Sequence, residues 1–291
     1  MIRFSVIIFS ILSISLCQVF SDYSYVGVKS SAMAGTMPAN ISGSNGLYQN
    51  PASLAGLNEN SFNFGQSNLF NHSEFPYQYV GFIYDFPVIG QLGLLYESLS
   101  TKNNGIELSS ESVLSISTGT FIQKDRNSCS SVGFRINFLS WNQAPSAGTS
   151  GDGQNGFASL NASSIGLDFG IIGGLRERYW VGGYITNINS PMINGQHLPR
   201  SLSLTIGFNP SKKIETSLST SRLLGRNDRQ VKLGMQYKLS NAITIISGVQ
   251  SNPNRLGLGF EYNMLSRFVL GYSILTHHVM GETHNFEVTI K

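Results

Sequence analysis

The chain has 291 residues, and 12% of them are charged, about half the proportion usual for soluble domains. Its net charge of +3 is spread along the chain without clusters, which argues against a nucleic-acid partner. A disordered chain is excluded because 18 Phe, 12 Tyr and abundant aliphatic residues supply material for burial, which leaves a β-rich protein with few surface charges.

The amino terminus has the layout of a secretory signal peptide. One positive charge precedes an apolar run at residues 4–16, and Val19-Phe20-Ser21 offers a cleavage site. The apolar run is too short to anchor the chain in a membrane. We therefore interpret residues 1–21 as a signal peptide and expect the mature, exported chain to begin near Asp22. Cys17 raises the alternative of a lipoprotein; in either case too few cysteines remain for a disulfide framework.

Residues 61–291 alternate between apolar and polar side chains almost throughout, as between Val231 and Leu239. This period of two gives each segment one apolar and one polar face, which is typical of a β-strand. Turn signals divide the region into fourteen predicted strands, although twelve or sixteen would also fit its length. The predicted strands lie at 61–70, 77–87, 90–99, 111–122, 129–141, 160–172, 178–188, 199–209, 213–222, 229–239, 241–250, 254–264, 266–276 and 283–291.

The predicted connections alternate in length. Long segments at 100–110, 142–159 and 189–198 lie at one end of the strands, and short turns such as 88–89 and 210–212 lie at the other. This asymmetry is typical of an outer-membrane barrel. A large β-sandwich or a β-solenoid could also be built from alternating strands, but the polar positions carry few charges and no fixed repeat is present. We therefore predict an all-β fold in which residues 61–291 form a transmembrane antiparallel β-barrel.

The polar register of these strands would face the lumen. It carries five charged candidates, which in a wet barrel set selectivity or stabilise the wall: Glu97, Arg135, Asp168, Lys232 and Glu261. Seven glycines on the same register would let another segment approach the wall: Gly133, Gly166, Gly170, Gly234, Gly257, Gly259 and Gly271. Residues 22–60 contain no convincing strand, and we predict that they form a lumen plug.

A turn is predicted within this plug at Asn50-Pro51-Ala52. Proline fixes its own φ and biases the preceding Asn50 towards an extended conformation, while the Asn side chain can cap the turn. We expect the turn to direct the plug into the first strand. An ordinary loop that enters the strand is the alternative.

Two stretches of the plug carry a family resemblance. The first is Ser30-Ser31-Ala32-Met33-Ala34-Gly35, and the second is Asn45-Gly46-Leu47-Tyr48-Gln49-Asn50-Pro51-Ala52-Ser53-Leu54-Ala55. The pair resembles the outer-membrane barrel superfamily of the long-chain fatty-acid transporter (FadL-like) and looks closest to its PorV/PorQ-type branch. Thr283-His284 at the start of the final strand is similar to the closing hairpin of that branch. The resemblance implies fourteen strands and the outer membrane of a Gram-negative-type bacterium.

The PorV/PorQ resemblance implies an accessory of protein export or surface assembly, with partners from a type IX-like secretion system. The alternative is a FadL-like transporter of small hydrophobic molecules whose lumen is gated by the plug. A structural barrel without a ligand is a third hypothesis. A transporter needs an apolar pocket, whereas the lumen register is mainly Gly, Ser, Asn and Gln, and this favours the accessory role. We expect contacts with outer-membrane lipid and none with nucleic acid.

No motif supports catalysis or a cofactor. Gly151-Asp152-Gly153-Gln154-Asn155-Gly156 has the spelling of a dinucleotide-binding loop, but a strand follows it where a helix is needed. His277, His278 and His284 could meet a metal, yet Glu282 alone accompanies them, and a polar hairpin tip is favoured. We therefore predict that the protein is not an enzyme and has no cofactor or metal site.

Overall fold

The structure is a computed structural model that describes residues 25–37, 40, 45–57, 59–86, 90–148, 155–225, 229–265 and 267–291. The predicted signal peptide, Asp22 and most of the Gly151–Gly156 loop lie outside these residues. Within them, fourteen antiparallel strands close into one barrel, which confirms the predicted fold class.

The strands are numbered in chain order. They are β1 (Ser61–Asn68), β2 (Pro76–Phe86), β3 (Gly90–Asn103), β4 (Ile106–Lys124), β5 (Ser128–Gln143), β6 (Leu160–Leu175), β7 (Tyr179–Thr186), β8 (Met192–Ile193), β9 (Gln196–His197), β10 (Ser201–Ser211), β11 (Ile214–Leu223), β12 (Arg229–Lys238), β13 (Ile243–Gln250), β14 (Arg255–Met264), β15 (Phe268–Leu275) and β16 (Thr283–Ile290). β8 and β9 form a separate hairpin in the connection between β7 and β10, and the other fourteen form the ring. Each ring strand pairs with its neighbours in the chain, and β16 pairs with β1 to close the barrel.

The alternating sequence places apolar side chains on the outside of the ring. Phe64, Leu233 and Leu258 are 41%, 50% and 51% exposed, whereas the inward-facing Asn63 and Ser117 are buried. This is the reverse of a soluble protein, because the apolar face of a membrane barrel contacts lipid. The apolar residues at every second position of the strands therefore form the lipid-facing band of the barrel.

The two ends of the barrel differ. Short turns join β4 to β5, β6 to β7, β10 to β11, β12 to β13 and β14 to β15 at one end, here called the short-turn end. The opposite end, called the long-loop end, carries the connections 144–159 and 187–200.

One predicted long connection, at 100–110, is wrong. β3 and β4 continue through it and meet at a two-residue turn, Asn104-Gly105, in which both residues have positive φ (49° and 80°). Asn-Gly is the pair that favours such a hairpin turn, because both residues tolerate left-handed backbone.

The described amino-terminal residues 25–37, 40 and 45–57, here called the lumenal segment, fold as short helices. These are α1 (Val28–Ala32), α2 (Asn45–Tyr48) and a 3-10 helix (Pro51–Gly56). None of the helices among the described residues is long and apolar enough to span a membrane. The lumenal segment is largely buried and contacts the inner face of the ring strands.

Candidate functional site: the lumen and the lumenal segment

The lumenal segment contacts two opposite parts of the wall. Its helix α1 packs against β13, β14, β15 and β16, while the 3-10 helix packs against β3, β4, β5 and β6. Its backbone–backbone hydrogen bonds among the described residues are internal, as from Ser31 N to Gly27 O and from Ser53 N to Asn50 O. The segment therefore lies in the lumen without adding a strand to the ring.

Inward-facing glycines allow this close packing. A Cβ on Gly133 would collide with the backbone of Pro51 and Ala52, and one on Gly271 would lie 3.1 Å from a methyl group of Val28. Six of the seven glycines singled out in the sequence face the lumenal segment in this way: Gly133, Gly170, Gly234, Gly257, Gly259 and Gly271. The seventh, Gly166, instead faces the side chain of Asn187, in the connection that follows β7.

The Asn50-Pro51-Ala52 turn begins the 3-10 helix. Asn50 is extended (φ −83°, ψ 110°), and its side-chain oxygen accepts a hydrogen bond from Ala52 N at 3.0 Å. The amide nitrogen of the same side chain donates to the carbonyl oxygens of Ile171 and Gly183, at 3.3 and 3.2 Å. Asn50 thus caps the helix and also attaches it to β6 and β7, a wall contact that the sequence did not indicate.

Arg135 attaches a second point of the segment to the wall. Its guanidinium is buried and donates to the carbonyl oxygens of Gly46 and Leu47, at 3.0 and 2.8 Å. It also donates to the Tyr184 hydroxyl at 3.0 Å, which in turn donates to Asp168 at 2.8 Å. The hydroxyl therefore links the arginine to the carboxylate of the neighbouring strand.

The remaining three lumen candidates form no hydrogen bond or ion pair with Arg135 or Asp168 among the described residues. Glu97 on β3 accepts a hydrogen bond from the Tyr77 hydroxyl at 2.8 Å. Lys232 on β12 is buried, and its ammonium lies 5.8 Å from the centre of the Tyr25 ring. Glu261 is half-buried on β14. The structure brings Arg135 and Asp168 together but does not gather the five charges into one site.

Glu287 on β16 is a lumen carboxylate that the sequence analysis missed. It accepts hydrogen bonds from Val28 N at the start of α1 (2.8 Å), from the Tyr48 hydroxyl (3.2 Å) and from the Tyr79 hydroxyl (2.8 Å). Two residues earlier, Asn285 donates to Ser31 at 2.7 Å. The alternation of Phe286, Val288 and Ile290 with polar residues places Glu287 on the inward register, so the sequence did contain the signal.

The lumen is not uniformly polar, contrary to the sequence-based expectation. The inward faces of β2 and β3 carry Tyr77, Tyr79, Ile83 and Leu95, all buried. We call these four residues, with the partly buried Leu99, the apolar track. Side chains of the lumenal segment cover it: Val26, Leu47, Tyr48 and Leu54. The expectation failed because β2 is apolar on both faces, so alternation alone could not show which of its side chains face inward.

The three histidines near the last hairpin do not converge on one point. His277 Nε2 lies 2.7 Å from the Thr283 hydroxyl, and His284 Nδ1 lies 2.8 Å from the Tyr272 hydroxyl. Burial, together with the nearby Arg255 cation, lowers the pKa of His277 from 6.5 to about 4. Among the described residues no group of three His, Cys, Asp or Glu side chains could hold a metal ion.

Solved structures share this architecture. No family model and no curated protein matches the chain. The toluene transporter TbuX of Ralstonia pickettii aligns over 92% of this chain and 98% of its own, with 13% identity and a TM-score of 0.65. The CymD monoaromatic hydrocarbon channel aligns over 92% of this chain and 97% of its own, with 15% identity and a TM-score of 0.63. A Pseudomonas aeruginosa FadL homologue aligns over 90% of this chain and 97% of its own, with 10% identity and a TM-score of 0.57. The chain is therefore similar in fold to FadL-family outer-membrane barrels.

Proposed function

We propose that the chain is an outer-membrane channel for small hydrophobic molecules and that the lumenal segment is its gate. The observation that carries this proposal is the apolar track on β2 and β3. From Tyr77 to Ile83 it extends over about 20 Å along the strand at roughly 3.3 Å per residue, which at the usual strand tilt of about 40° covers roughly half of the ~30 Å hydrocarbon core of a bilayer. Phe70 and Phe75 prolong the apolar surface towards the long-loop end, and Leu57 packs against the same cluster.

The lumenal segment occupies this track with hydrocarbon side chains. Leu47 packs against Gly81 and Gly93, and Leu47 and Leu54 are both fully buried. When the segment moves away, the apolar track becomes exposed to water. A guest molecule that covers it is then stabilised by about 25 cal/mol for each Å² of apolar surface buried. A neutral apolar guest matches that surface, whereas a charged guest would lose its hydration there.

The attachments of the segment suit a gate. They are hydrogen bonds in which one partner is a side chain, among them those of Arg135, Asn50, Glu287 and Asn285, together with an ion pair of Lys29 with Glu215 at 3.8 Å. No backbone–backbone hydrogen bond joins the described segment to the ring. The segment can therefore shift without breaking a strand pairing.

The structural neighbours favour this transport role over the secretion accessory that the PorV/PorQ resemblance implied. TbuX is described as a toluene transporter and CymD as a monoaromatic hydrocarbon channel, whereas the similar folds named above include no secretion component. We place the protein in the outer membrane of a Gram-negative bacterium. Its role is passage without chemical conversion.

The test is uptake of radiolabelled toluene by a Gram-negative host that lacks its own hydrocarbon channels. Cells with the wild-type chain should take up toluene several-fold faster than cells with the empty vector. The gate is tested by a disulfide between Val28→Cys and Gly271→Cys in a Cys129→Ser background. A Cβ on Gly271 lies 3.2 Å from the Val28 Cβ, close to the 3.5–4.5 Å of disulfides.

The oxidised double-cysteine variant should lose the uptake, and the same cells should regain it after reduction. Each single-cysteine variant serves as the matched control and should transport in both states. Uptake equal to that of the empty vector in all of these cells contradicts the channel. Uptake that the disulfide leaves unchanged contradicts the gate alone.

A further inference from the structure

A row of polar side chains crosses five strands of the inner wall near the long-loop end. The strand registers place its members next to one another, because Thr205 pairs with Ser219, Ser219 with Lys232, Lys232 with Gln250, and Gln250 with Arg255. We call these five residues the lumen row. Four of them, all except Arg255, are at most 7% exposed.

The lumen row has hydrogen-bonding groups without partners. Thr205 Oγ1, Ser219 Oγ, Gln250 Nε2 and Arg255 Nε are buried and make no hydrogen bond. The Gln250 oxygen, in contrast, accepts a hydrogen bond from the Tyr25 hydroxyl at 2.6 Å. Each of the four free groups can donate a hydrogen bond, and a buried donor without an acceptor destabilises the fold.

The two cations of the row also lack a carboxylate. Among the described residues, neither Lys232 nor Arg255 forms an ion pair. Both lie near the ring of Tyr25, with the Lys232 Nζ 5.8 Å and the Arg255 Cζ 5.0 Å from its centre. A cation–π contact offsets only part of the free-energy cost of burying a charge. The two positive charges therefore remain largely uncompensated, and they lie beside the unpaired donors of the lumen row.

We propose that the lumen row binds a small oxyanion of the phosphate or sulfate class. Tetrahedral oxyanions accept several hydrogen bonds at once, and the row supplies two hydroxyls, an amide nitrogen, an ammonium and a guanidinium. Ion pairing would neutralise Lys232, and the same oxygens would satisfy donors that otherwise remain unpaired. The site does not depend on the proposed hydrocarbon transport.

The surroundings of the row match a small hydrophilic anion and not the head group of a lipid-like molecule. On the long-loop side the neighbouring inward residues are Ser203, Ser221 and Gln230. On the other side three glycines are covered closely by α1 and the residues that follow it: Gly234, Gly248 and Gly257. The apolar cluster beside the row is small, consisting of Tyr25, Ala34 and Leu275, and the extended apolar track that a hydrocarbon tail would need lies on β2 and β3.

Isothermal titration calorimetry of the purified full chain in detergent tests the site. Sodium sulfate and sodium phosphate are titrated at pH 7 and constant ionic strength, with sodium chloride as the reference salt. Saturable binding of the oxyanions is expected, and Lys232→Gln should weaken it at least tenfold. Arg229→Gln removes the same charge from the exposed outer side of the same strand and should leave the affinity within twofold of the wild type.

A second variant keeps the test valid if Lys232→Gln does not assemble. Thr205→Val with Ser219→Ala removes two hydroxyls without changing charge and should weaken oxyanion binding several-fold. Absence of saturable binding in the wild type overturns the proposal, as does equal weakening by Lys232→Gln and Arg229→Gln.

Competition with carboxylates separates a small anion from an amphiphile. Acetate and laurate carry the same charged group, so both should displace sulfate with affinities within a few-fold of each other. Laurate that binds a hundredfold more tightly than acetate, and loses this advantage in Lys232→Gln, would show a head-group site and overturn the proposal.

Discussion

At the scale of single residues, Arg135 is the wall cation that contacts the lumenal segment most directly. Its two shorter hydrogen bonds to backbone carbonyls, those of Gly46 and Leu47, are buried, and hydrogen bonds of a charged donor are worth about 1.5–3 kcal/mol each. Arg135→Met should weaken the attachment of the segment by roughly 3 kcal/mol, which is about a hundredfold in the ratio of attached to detached forms. We expect a higher conductance in planar bilayers. Arg178→Met, at an exposed short turn, is the control, and a variant at Arg135 that conducts like this control contradicts the role.

His277 gives a pH dependence whose sign is fixed by its environment. Its pKa is lowered from 6.5 to about 4, first by burial and then by Arg255, so the folded protein favours the neutral ring. Its contribution to stability is complete above pH 6.5 and is lost as the pH falls through 6.5 towards 4. His277→Gln should therefore flatten the fall of the thermal unfolding temperature between pH 7 and pH 4. His278→Gln changes an exposed neighbour and should retain the wild-type slope; identical slopes in both variants refute the assignment.

The sequence predicted the direction of side chains better than their partners. Alternation placed Arg135, Asp168 and Lys232 on the inward register, and the structure has all three buried inside the wall. It could not predict that Arg135 contacts Gly46 and Leu47, because those partners are 89 and 88 residues away and belong to a segment without periodicity. Glu287 lies on the same inward register as Glu97 and Glu261 and could have been predicted in the same way, but its partners in the lumenal segment could not.

At the scale of elements, the strands could be predicted because lipid imposes a period of two on every one of them. The hairpin at Asn104-Gly105 was missed because the polar stretch around it lies beyond the lipid-facing band, where alternation is no longer required. The helices of the lumenal segment were not predicted. They have five, four and six residues, too few for a helical period, and packing against the wall determines them.

The inward glycines form the surface on which the segment rests. Gly133→Val should push the 3-10 helix away from β5, because the added side chain meets the backbone of Pro51 and Ala52, which cannot rotate aside. Gly173→Val on the neighbouring β6 is the matched control, since a Cβ at Gly173 has no other atom within 4 Å. Cysteine labelling at Ala52→Cys, in a Cys129→Ser background, should become several-fold faster with Gly133→Val and stay unchanged with Gly173→Val. Equal labelling in both contradicts the close contact.

At the scale of the whole molecule, the ring and the lumenal segment are separable structures. The ring closes through pairing of β1 with β16, and every strand has two neighbours without help from the segment. The segment, in turn, contributes side-chain contacts and fills the space above the glycines. The ring supplies mostly polar and small inward residues, and the lumenal segment supplies apolar side chains. The lumen can therefore bury apolar groups although most of the inward ring residues are not apolar.

Deletion of residues 22–47 tests whether the segment closes the lumen. The deletion removes α1 and the Gly46 and Leu47 carbonyls that accept the two shorter hydrogen bonds of Arg135. It retains the Tyr48 carbonyl, 3.5 Å from the Arg135 guanidinium, and the Asn50-Pro51-Ala52 turn that leads into β1. Since the ring makes its own hydrogen bonds, the truncated chain should still show the gel mobility shift on heating that marks an assembled barrel. Its conductance in planar bilayers, and the antibiotic permeability of cells that carry it, should rise several-fold because the lumen loses its filling. A truncated barrel that assembles yet conducts no better than the intact one would show that the segment is not a plug. It would then be interpreted as a docking arm for a periplasmic partner.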